Sequence, residues 1–289
     1  MTDQYAVIGN PVEHSLSPEI HAEFARVTGQ DLAYGRILAP RDGFRQAVQA
    51  FRESGGKGLN VTLPFKHEAW DLAAVRSGFA LAAGAVNTLL FQGDRIAGHN
   101  TDGIGLVRDL TRNLRVAVRG KRVLLMGAGG ASYGVMEPLL REQPQTLVVA
   151  NRTLEKAIAL VGHFEKLQQF ALQGISARPY DALAGAQFDI LINATSAGLD
   201  NAMPPIPGNV FASGALAYDM VYARRTPFLD FAQRQGARVS DGLGMLVEQA
   251  AESFFIWRGV YPETRSAMAM LRRRMGRSAP AAEGVNRDS

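Results

Sequence analysis

Lys66 stands in the first turn of a helix that the sequence starts near Pro64. A cation there faces the positive end of the helix dipole, which disfavours the ammonium form. That suits a group that must give and take a proton. Alone, such a lysine reads as a flexible surface cation; its company argues otherwise. Asn60 and Thr62 precede it on a short strand, where two-residue alternation puts their side chains on one face. Asn87 and Asp102 lie near other strand ends. Asp102 could cap the helix that follows it, or pair with Lys66 and hold it in place. Ser15 and Ser17 offer hydroxyls on an N-terminal loop, with Ser17 also a candidate N-cap before Pro18.

A second chemistry is written around residue 127. Gly127-Ala128-Gly129-Gly130-Ala131 follows an apolar strand and opens a helix, the context that a dinucleotide-binding turn requires. The first glycine permits the tight turn, and the second lets backbone approach a pyrophosphate. The helix N-terminus then offers unpaired N–H groups to the anion. Ser132 replaces the third glycine of the usual fingerprint. The next strand ends in Asn151-Arg152-Thr153, with Lys156 one turn on. An acidic residue there would bind a ribose 2′-hydroxyl; an arginine instead suits a 2′-phosphate and can stack on adenine. The plainer alternative for Arg152 is a solvated strand-end cation. With the glycine turn upstream, the sequence points to NADP rather than NAD.

The elements that must position these groups alternate. Tyr5 to Gly9 reads as a buried strand, and Ile20, Phe24 and Val27 repeat at helical spacing up to Gly29. Phe44, Val48 and Phe51 mark a second helix. Gly58 to Leu63 reads as a strand, and Ala85 to Phe91 with Arg95 to Gly98 as a hairpin turning at Gly93-Asp94. Val107, Leu110 and Leu114 mark the next helix. From Lys121 onward, strands at 122–126, 146–150, 188–192 and 216–221 alternate with helices, one of them interrupted at Pro138. That rhythm predicts an α/β protein with parallel strands and covered faces. Leu246, Ala250, Phe254 and Trp257 define a final helix.

The bulk numbers suggest two domains, or one large one. The chain has 289 residues, 47% of them hydrophobic and 20% charged, with a net charge of +4. Lacking cysteine, it has no thiol nucleophile and no disulfide. No run approaches the ~18 apolar residues of a membrane span, and no leader pattern opens the chain, so a cytoplasmic protein is expected. Arg272, Arg273, Arg274 and Arg277 read as a solvated helix end before a tail. Nothing in the charge pattern suggests nucleic acid. His14, His21, His67, His99 and His163 lack paired ligand spacing, so no metal is expected.

Taken in order, these segments resemble the shikimate dehydrogenase family. The resemblance rests on Ser15-Leu16-Ser17-Pro18, Asn60-Val61-Thr62-Leu63-Pro64-Phe65-Lys66, Ala85-Val86-Asn87-Thr88 and Asn100-Thr101-Asp102-Gly103. It continues through the glycine turn, Asn151-Arg152-Thr153, Asn193-Ala194-Thr195-Ser196, Tyr218-Asp219-Met220-Val221-Tyr222 and Gly244-Met245-Leu246-Val247-Glu248-Gln249, and runs from about residue 5 to 260. It implies an N-terminal α/β substrate domain (1–103) and a Rossmann-type, doubly wound NADP domain (104–240). A C-terminal helical segment (241–275) returns to the first domain; the tail after it (276–289) is expected to be disordered on its own composition, rich in Ala, Gly, Ser and Pro. It further implies that Ser15, Ser17, Asn60, Thr62, Asn87, Asp102, Tyr222 and Gln249 contact substrate, and that Lys66 and Asp102 form the catalytic pair. Met220 and Gly242 would lie beside the nicotinamide. Thr195 would join Gly127 to Ala131, Asn151 to Thr153 and Lys156 in holding the cofactor. Plainer alternatives remain for three of these: Met220 as core, Tyr222 as a strand-end aromatic and Gln249 as an exposed helix residue.

The implied reaction is the NADPH-dependent interconversion of 3-dehydroshikimate and shikimate, a step towards chorismate and aromatic amino acids, by a monomer or homodimer. Two rivals stand beside it: a sister enzyme that takes quinate, and a non-catalytic sensor of a dinucleotide or metabolite. Serine at both 15 and 17 favours shikimate. Retention of both Lys66 and Asp102 argues against a sensor.

Overall fold

The computed structural model describes residues 2–167 and 174–276. The first half runs β1 (Asp3–Gly9), α1 (Ser17–Thr28), β2 (Leu32–Leu38), α2 (Phe44–Glu53), β3 (Gly56–Val61), α3 (Lys66–Leu72), β4 (Val75–Arg76), α4 (Gly78–Ala83), β5 (Thr88–Gln92), β6 (Arg95–His99) and α5 (Asp102–Arg108). The second half runs β7 (Arg122–Met126), α6 (Gly130–Arg141), β8 (Thr146–Ala150), α7 (Leu154–Lys166), β9 (Ile175–Arg178), β10 (Phe188–Asn193), β11 (Phe211–Asp219), α8 (Pro227–Arg234), β12 (Arg238–Asp241), α9 (Leu243–Arg258) and α10 (Arg265–Arg274).

The strands form two six-stranded sheets. The first has the order β2-β1-β3-β5-β6-β4. It is mixed rather than parallel throughout, because the β5–β6 hairpin sends β5 antiparallel to both β3 and β6. A two-residue connection leaves no length for the crossover that a parallel neighbour needs. The second sheet has the order β12-β11-β10-β7-β8-β9, all parallel. This is the doubly wound arrangement, with the direction of winding reversing at β7. Its strands are apolar on both faces: Val123, Leu125, Val149, Ile190 and Ile192 pack on one side, and Leu124, Met126, Val148 and Leu191 on the other.

Register decides what meets at the C-terminal edge of this second sheet. Met126 pairs with Ala150 on one side and Asn193 on the other, Asn193 with Asp219, and Asp219 with Asp241. The loops that begin at Gly127, Asn151, Ala194, Met220 and Gly242 therefore leave one edge, where ligands of such sheets bind.

Helix α9 then crosses back to the first half. Its Leu243, Val247 and Phe254 share a core with Ile20 and Phe24 of α1. It lies along α5, where a Cβ at Gly105 would come within 2.7 Å of the Met245 carbonyl. Across α5, a Cβ at Gly103 would stand 2.5 Å from the Gly134 carbonyl of α6. The two glycines let α5 pass between helices of both halves at backbone contact. Asp109 locks the same junction: it accepts from Tyr218 of β11 at 2.7 Å and from Asn113 at 2.9 Å, and Asn113 also donates to Glu248 of α9 at 3.1 Å. Burial pushes the Asp109 carboxyl up from the usual range despite these donors.

Several expectations need correction. Ser17 is not an N-cap: Leu16 holds that position, Ser17 is already helical, and its hydroxyl is left for other partners. Pro138 does not interrupt α6, which continues to Arg141. The helix marked by Val107, Leu110 and Leu114 is α5 followed by a wider, π-helical turn from Asp109 to Asn113. Helix α9 is not the last, since α10 follows. The arginines near its end are not all solvated: Arg272 lies 3.7 Å from the Asp241 carboxylate and Arg274 2.7 Å from Glu19. Of the 276–289 stretch expected to be disordered, all but Gly276 lies outside the described residues.

Candidate active site

A cavity of about 350 Å³ opens between the C-terminal end of the first sheet and the edge of the second. Lys66 is the first residue of α3, directly after the Phe65 N-cap. Its Nζ stands 2.5 Å from Oδ2 of Asp102, the first residue of α5. Thr101, not Asp102, is the N-cap of α5, so the carboxylate is free of capping and turns into the cavity. Its other oxygen accepts from Asn87 Nδ2 at 2.8 Å. Asn100 braces the turn from behind: its Oδ1 accepts from the Asp102 N–H at 3.2 Å, and its Nδ2 donates to the Ala85 carbonyl at 3.1 Å.

Asn60, at the end of β3, is buried and lines the same cavity with Thr62. The Tyr34 hydroxyl donates to its Oδ1 at 2.7 Å, and burial holds that phenol well above its usual range, so it stays protonated. The Ser15 hydroxyl donates to that of Ser17 at 3.2 Å, and the Arg36 guanidinium grips the Ser15 carbonyl at 2.6 Å. From α9, Gln249 presents its side chain with Oε1 near Thr101 Oγ1 (3.3 Å) and Asn87 Nδ2 (3.4 Å). Tyr222 closes one wall, half-buried, with its phenol pushed up by burial.

Ser15, Ser17, Asn60, Thr62, Lys66, Asn87, Asp102, Met220, Tyr222, Gly242 and Gln249 thus meet in one cavity. Gly242 is there because nothing larger fits, a Cβ falling 2.3 Å from the Met220 carbonyl. Of the plainer alternatives, Gln249 is not an exposed helix residue and Tyr222 is more than a strand-end aromatic, while Met220 both packs against the core and faces the cavity. The sequence reading missed Tyr34, Thr88, Thr101 and Ser253, which stand behind the amides. Of these only Ser253 carried a usable signal, one helical turn after Gln249 on the same face.

The remaining residues lie on the second sheet's edge. Gly127 has φ +103° and sits against Ala194 and Thr195, so a side chain there would be strained and crowded. Above Gly129 and Gly130 a Cβ would meet nothing within 4 Å, which leaves the start of the twelve-residue helix α6 open to an anion. Ser132, in the third glycine's place, donates to the Gly127 carbonyl at 2.8 Å and closes the turn with a side chain. Asn193 steadies Thr195 through Oδ1, at 2.7 Å from its hydroxyl, while its Nδ2 donates to buried Asp219 at 3.1 Å. Arg152, Thr153 and Lys156 are exposed beyond β8, with Asn151 Nδ2 donating to the Thr153 carbonyl at 2.8 Å. Burial pushes the Tyr180 phenol up to about 12 against the pull of the nearby Arg152 guanidinium. Among the described residues no carboxylate pairs with Arg152, so this edge fits a 2′-phosphate.

A doubly wound sheet with a glycine turn at its winding reversal, facing a lysine–aspartate pair across a polar cleft, defines the class of two-domain, dinucleotide-binding α/β proteins. Family comparisons narrow the class. Residues 7–89 match the shikimate dehydrogenase substrate binding domain, 109–200 the shikimate / quinate 5-dehydrogenase family, and 242–270 the shikimate 5′-dehydrogenase C-terminal domain. The shikimate dehydrogenase (NADP(+)) of Nitrosospira multiformis is 57% identical over 96% of this chain and 99% of its own length. Among solved structures, an Ael1 enzyme from Pseudomonas putida superposes with a TM-score of 0.89 at 47% identity, over 93% of this chain and 98% of that one. The shikimate 5-dehydrogenase of Thermus thermophilus, in complex with NADP(H) and shikimate, gives 0.83 at 33% identity, over 95% and 100%. The chain belongs to the shikimate dehydrogenase family.

Proposed function

We propose that the chain catalyses the reversible, NADPH-dependent reduction of 3-dehydroshikimate to shikimate. The observation that carries this is the Lys66–Asp102 pair on one wall of a cavity whose opposite wall, Met220 and Gly242, belongs to the nucleotide-binding edge. A ring held between them would have its carbonyl oxygen within reach of the proton donor. The N–H groups at the start of α6 would hold the pyrophosphate, and Arg152 with Lys156 the 2′-phosphate. When bound, NADPH supplies the hydride.

The chain's own residues do the rest. Lys66 Nζ donates a proton to the oxygen of the reduced carbonyl and takes it back in the reverse direction. Asp102, fixed by Asn87 and by its place at the start of α5, keeps the amine aimed. Asn60, Thr62, Asn87 and Gln249 suit ring hydroxyls, and Ser15, Ser17 and Tyr222 the carboxylate, all through polar side chains that line one cavity. Domain limits of 1–103, 104–240 and 241–275 suit this division of labour, with the first sheet in the first, α9 in the third, and the second sheet in the second except for Asp241 at the end of β12; the first limit falls inside α5. The reading is of a cytoplasmic enzyme acting on a small molecule as a monomer or homodimer; among the described residues no helix is long and apolar enough to cross a membrane. Absorbance of reduced nicotinamide during turnover of shikimate tests the reading.

A further inference from the structure

Behind the cavity a line of hydrogen bonds runs from α9 to the reactive lysine. Ser253 Oγ lies 2.8 Å from Thr88 Oγ1, and Thr88 donates to Asn87 Oδ1 at 2.9 Å. Asn87 Nδ2 donates to Asp102 at 2.8 Å, and Asp102 meets Lys66 at 2.5 Å. Ser253, Thr88 and Asn87 are all buried, so no solvent competes for these bonds.

The directions along the line follow from what each group can do. The Thr101 backbone N–H, 3.0 Å from the Asn87 amide, can only donate, so the atom facing it is Oδ1 and the NH₂ must face Asp102. Asn87 Oδ1 can only accept, so Thr88 spends its proton there. Ser253 is then the donor to Thr88, with the Gln249 carbonyl at 3.1 Å a second acceptor for the same proton. Asn60 is fixed from the same two hydroxyls: its Nδ2 donates to Ser253 at 3.0 Å and to Thr88 at 3.1 Å, while the Tyr34 phenol claims its Oδ1. Two hydroxyls thus share with the Thr101 N–H and the Tyr34 phenol the hold on both cavity-lining amides and, through Asn87, on the carboxylate.

We propose that Thr88 and Ser253 are positioning residues for the reaction, acting through Asn60 and Asn87 on the substrate. This rests on the functional reading above. An amide turned by 180° would set its oxygen against the Asp102 carboxylate at Asn87 and take the acceptor away from the Tyr34 phenol at Asn60. Losing one such hydrogen bond corresponds to roughly a three- to tenfold change in an equilibrium.

The test is steady-state kinetics on Thr88→Val, Thr88→Ser and Ser253→Ala against the wild-type chain. Thr88→Val keeps the shape and deletes the hydroxyl. Its KM for shikimate rises about tenfold, with kcat moving by less than about threefold and KM for NADP unchanged. Thr88→Ser restores wild-type values, and Ser253→Ala follows Thr88→Val. A lower kcat with both KM values unchanged in Thr88→Val and Ser253→Ala is lost folded enzyme and overturns the proposal, as does an unchanged shikimate KM. Equal rises in Thr88→Ser and Thr88→Val also overturn it, since packing would then be the cause. A wild-type chain that does not turn over shikimate overturns the functional reading itself, and this proposal with it.

Discussion

Lys66 Nζ and Asp102 Oδ2 meet at 2.5 Å although 36 residues separate them in the chain. Each is the first residue of its helix, so each side chain leaves an N-terminus at the end of a strand of the first sheet. An aspartate is well placed there and a lysine poorly, by the sign of the helix dipole. The carboxylate supplies the charge that makes the lysine's position tenable. Lys66→Ala should lower kcat for shikimate oxidation about 10²–10⁴-fold. NADP affinity, measured by quenching of protein fluorescence, should be nearly unchanged. Turnover like that of wild type would remove Lys66 from the chemistry.

Arg152 stands exposed past the end of β8 with no carboxylate on it among the described residues. Arg152→Asp reverses the charge at that edge. The ratio of kcat/KM with NADP to that with NAD should drop by more than about tenfold. A ratio that stays put would mean that the 2′-phosphate is held elsewhere.

Gly244, one residue into α9, tests the junction between the two halves. A Cβ there would lie 1.9 Å from Asp109 Oδ1, and Asp109 cannot retreat because Tyr218 and Asn113 hold it. Gly244→Ala should cost about 1–3 kcal/mol in urea unfolding, as overpacking does in tight interiors. An unchanged midpoint would show that Asp109 has room to move.

His21 is fully buried, stacked on Tyr34 at 4.2 Å, and neither ring nitrogen has a hydrogen-bond partner among the described residues. Burial lowers its pKa to about 3. The unfolded chain therefore binds a proton near pH 6.5 that the folded chain refuses. Stability from this group is complete above that pH and is lost as pH falls towards 3. Between pH 7 and pH 5 the loss should be about 2 kcal/mol. His21→Phe, set among Phe24, Tyr34 and Phe254, should lose that much less in urea unfolding over the same interval. Equal losses in the two chains would contradict the account.

The site was legible in the sequence to the extent that its chemistry sits in short segments. Asn60 through Lys66 carries a strand, a turn and a helix start within seven residues, and the glycine turn carries its own strand and helix. What surrounds those segments was harder to read. Strand β2 is half-exposed and lacks a clear alternation, so Tyr34, the donor to Asn60, belonged to no expected element. Thr88 looked like one more strand residue and Ser253 like one more helix residue; only the fold brings them within 2.8 Å across 165 positions. Helix α10 carries its apolar residues in one run, Ala267 to Leu271, between arginines rather than at helical spacing, and its buried residues, Ala267 and Leu271, are too sparse to announce a packed face.

The most direct test of the central claim is the initial rate of nicotinamide reduction with shikimate or quinate, each paired with NADP or NAD. The account predicts fast reduction with shikimate and NADP and much slower reduction in the other three pairings. Reduction with quinate or NAD at a comparable or higher rate would contradict the reading of the serines or of Arg152, and no reduction in any pairing would contradict the assignment of this cavity to a dehydrogenase.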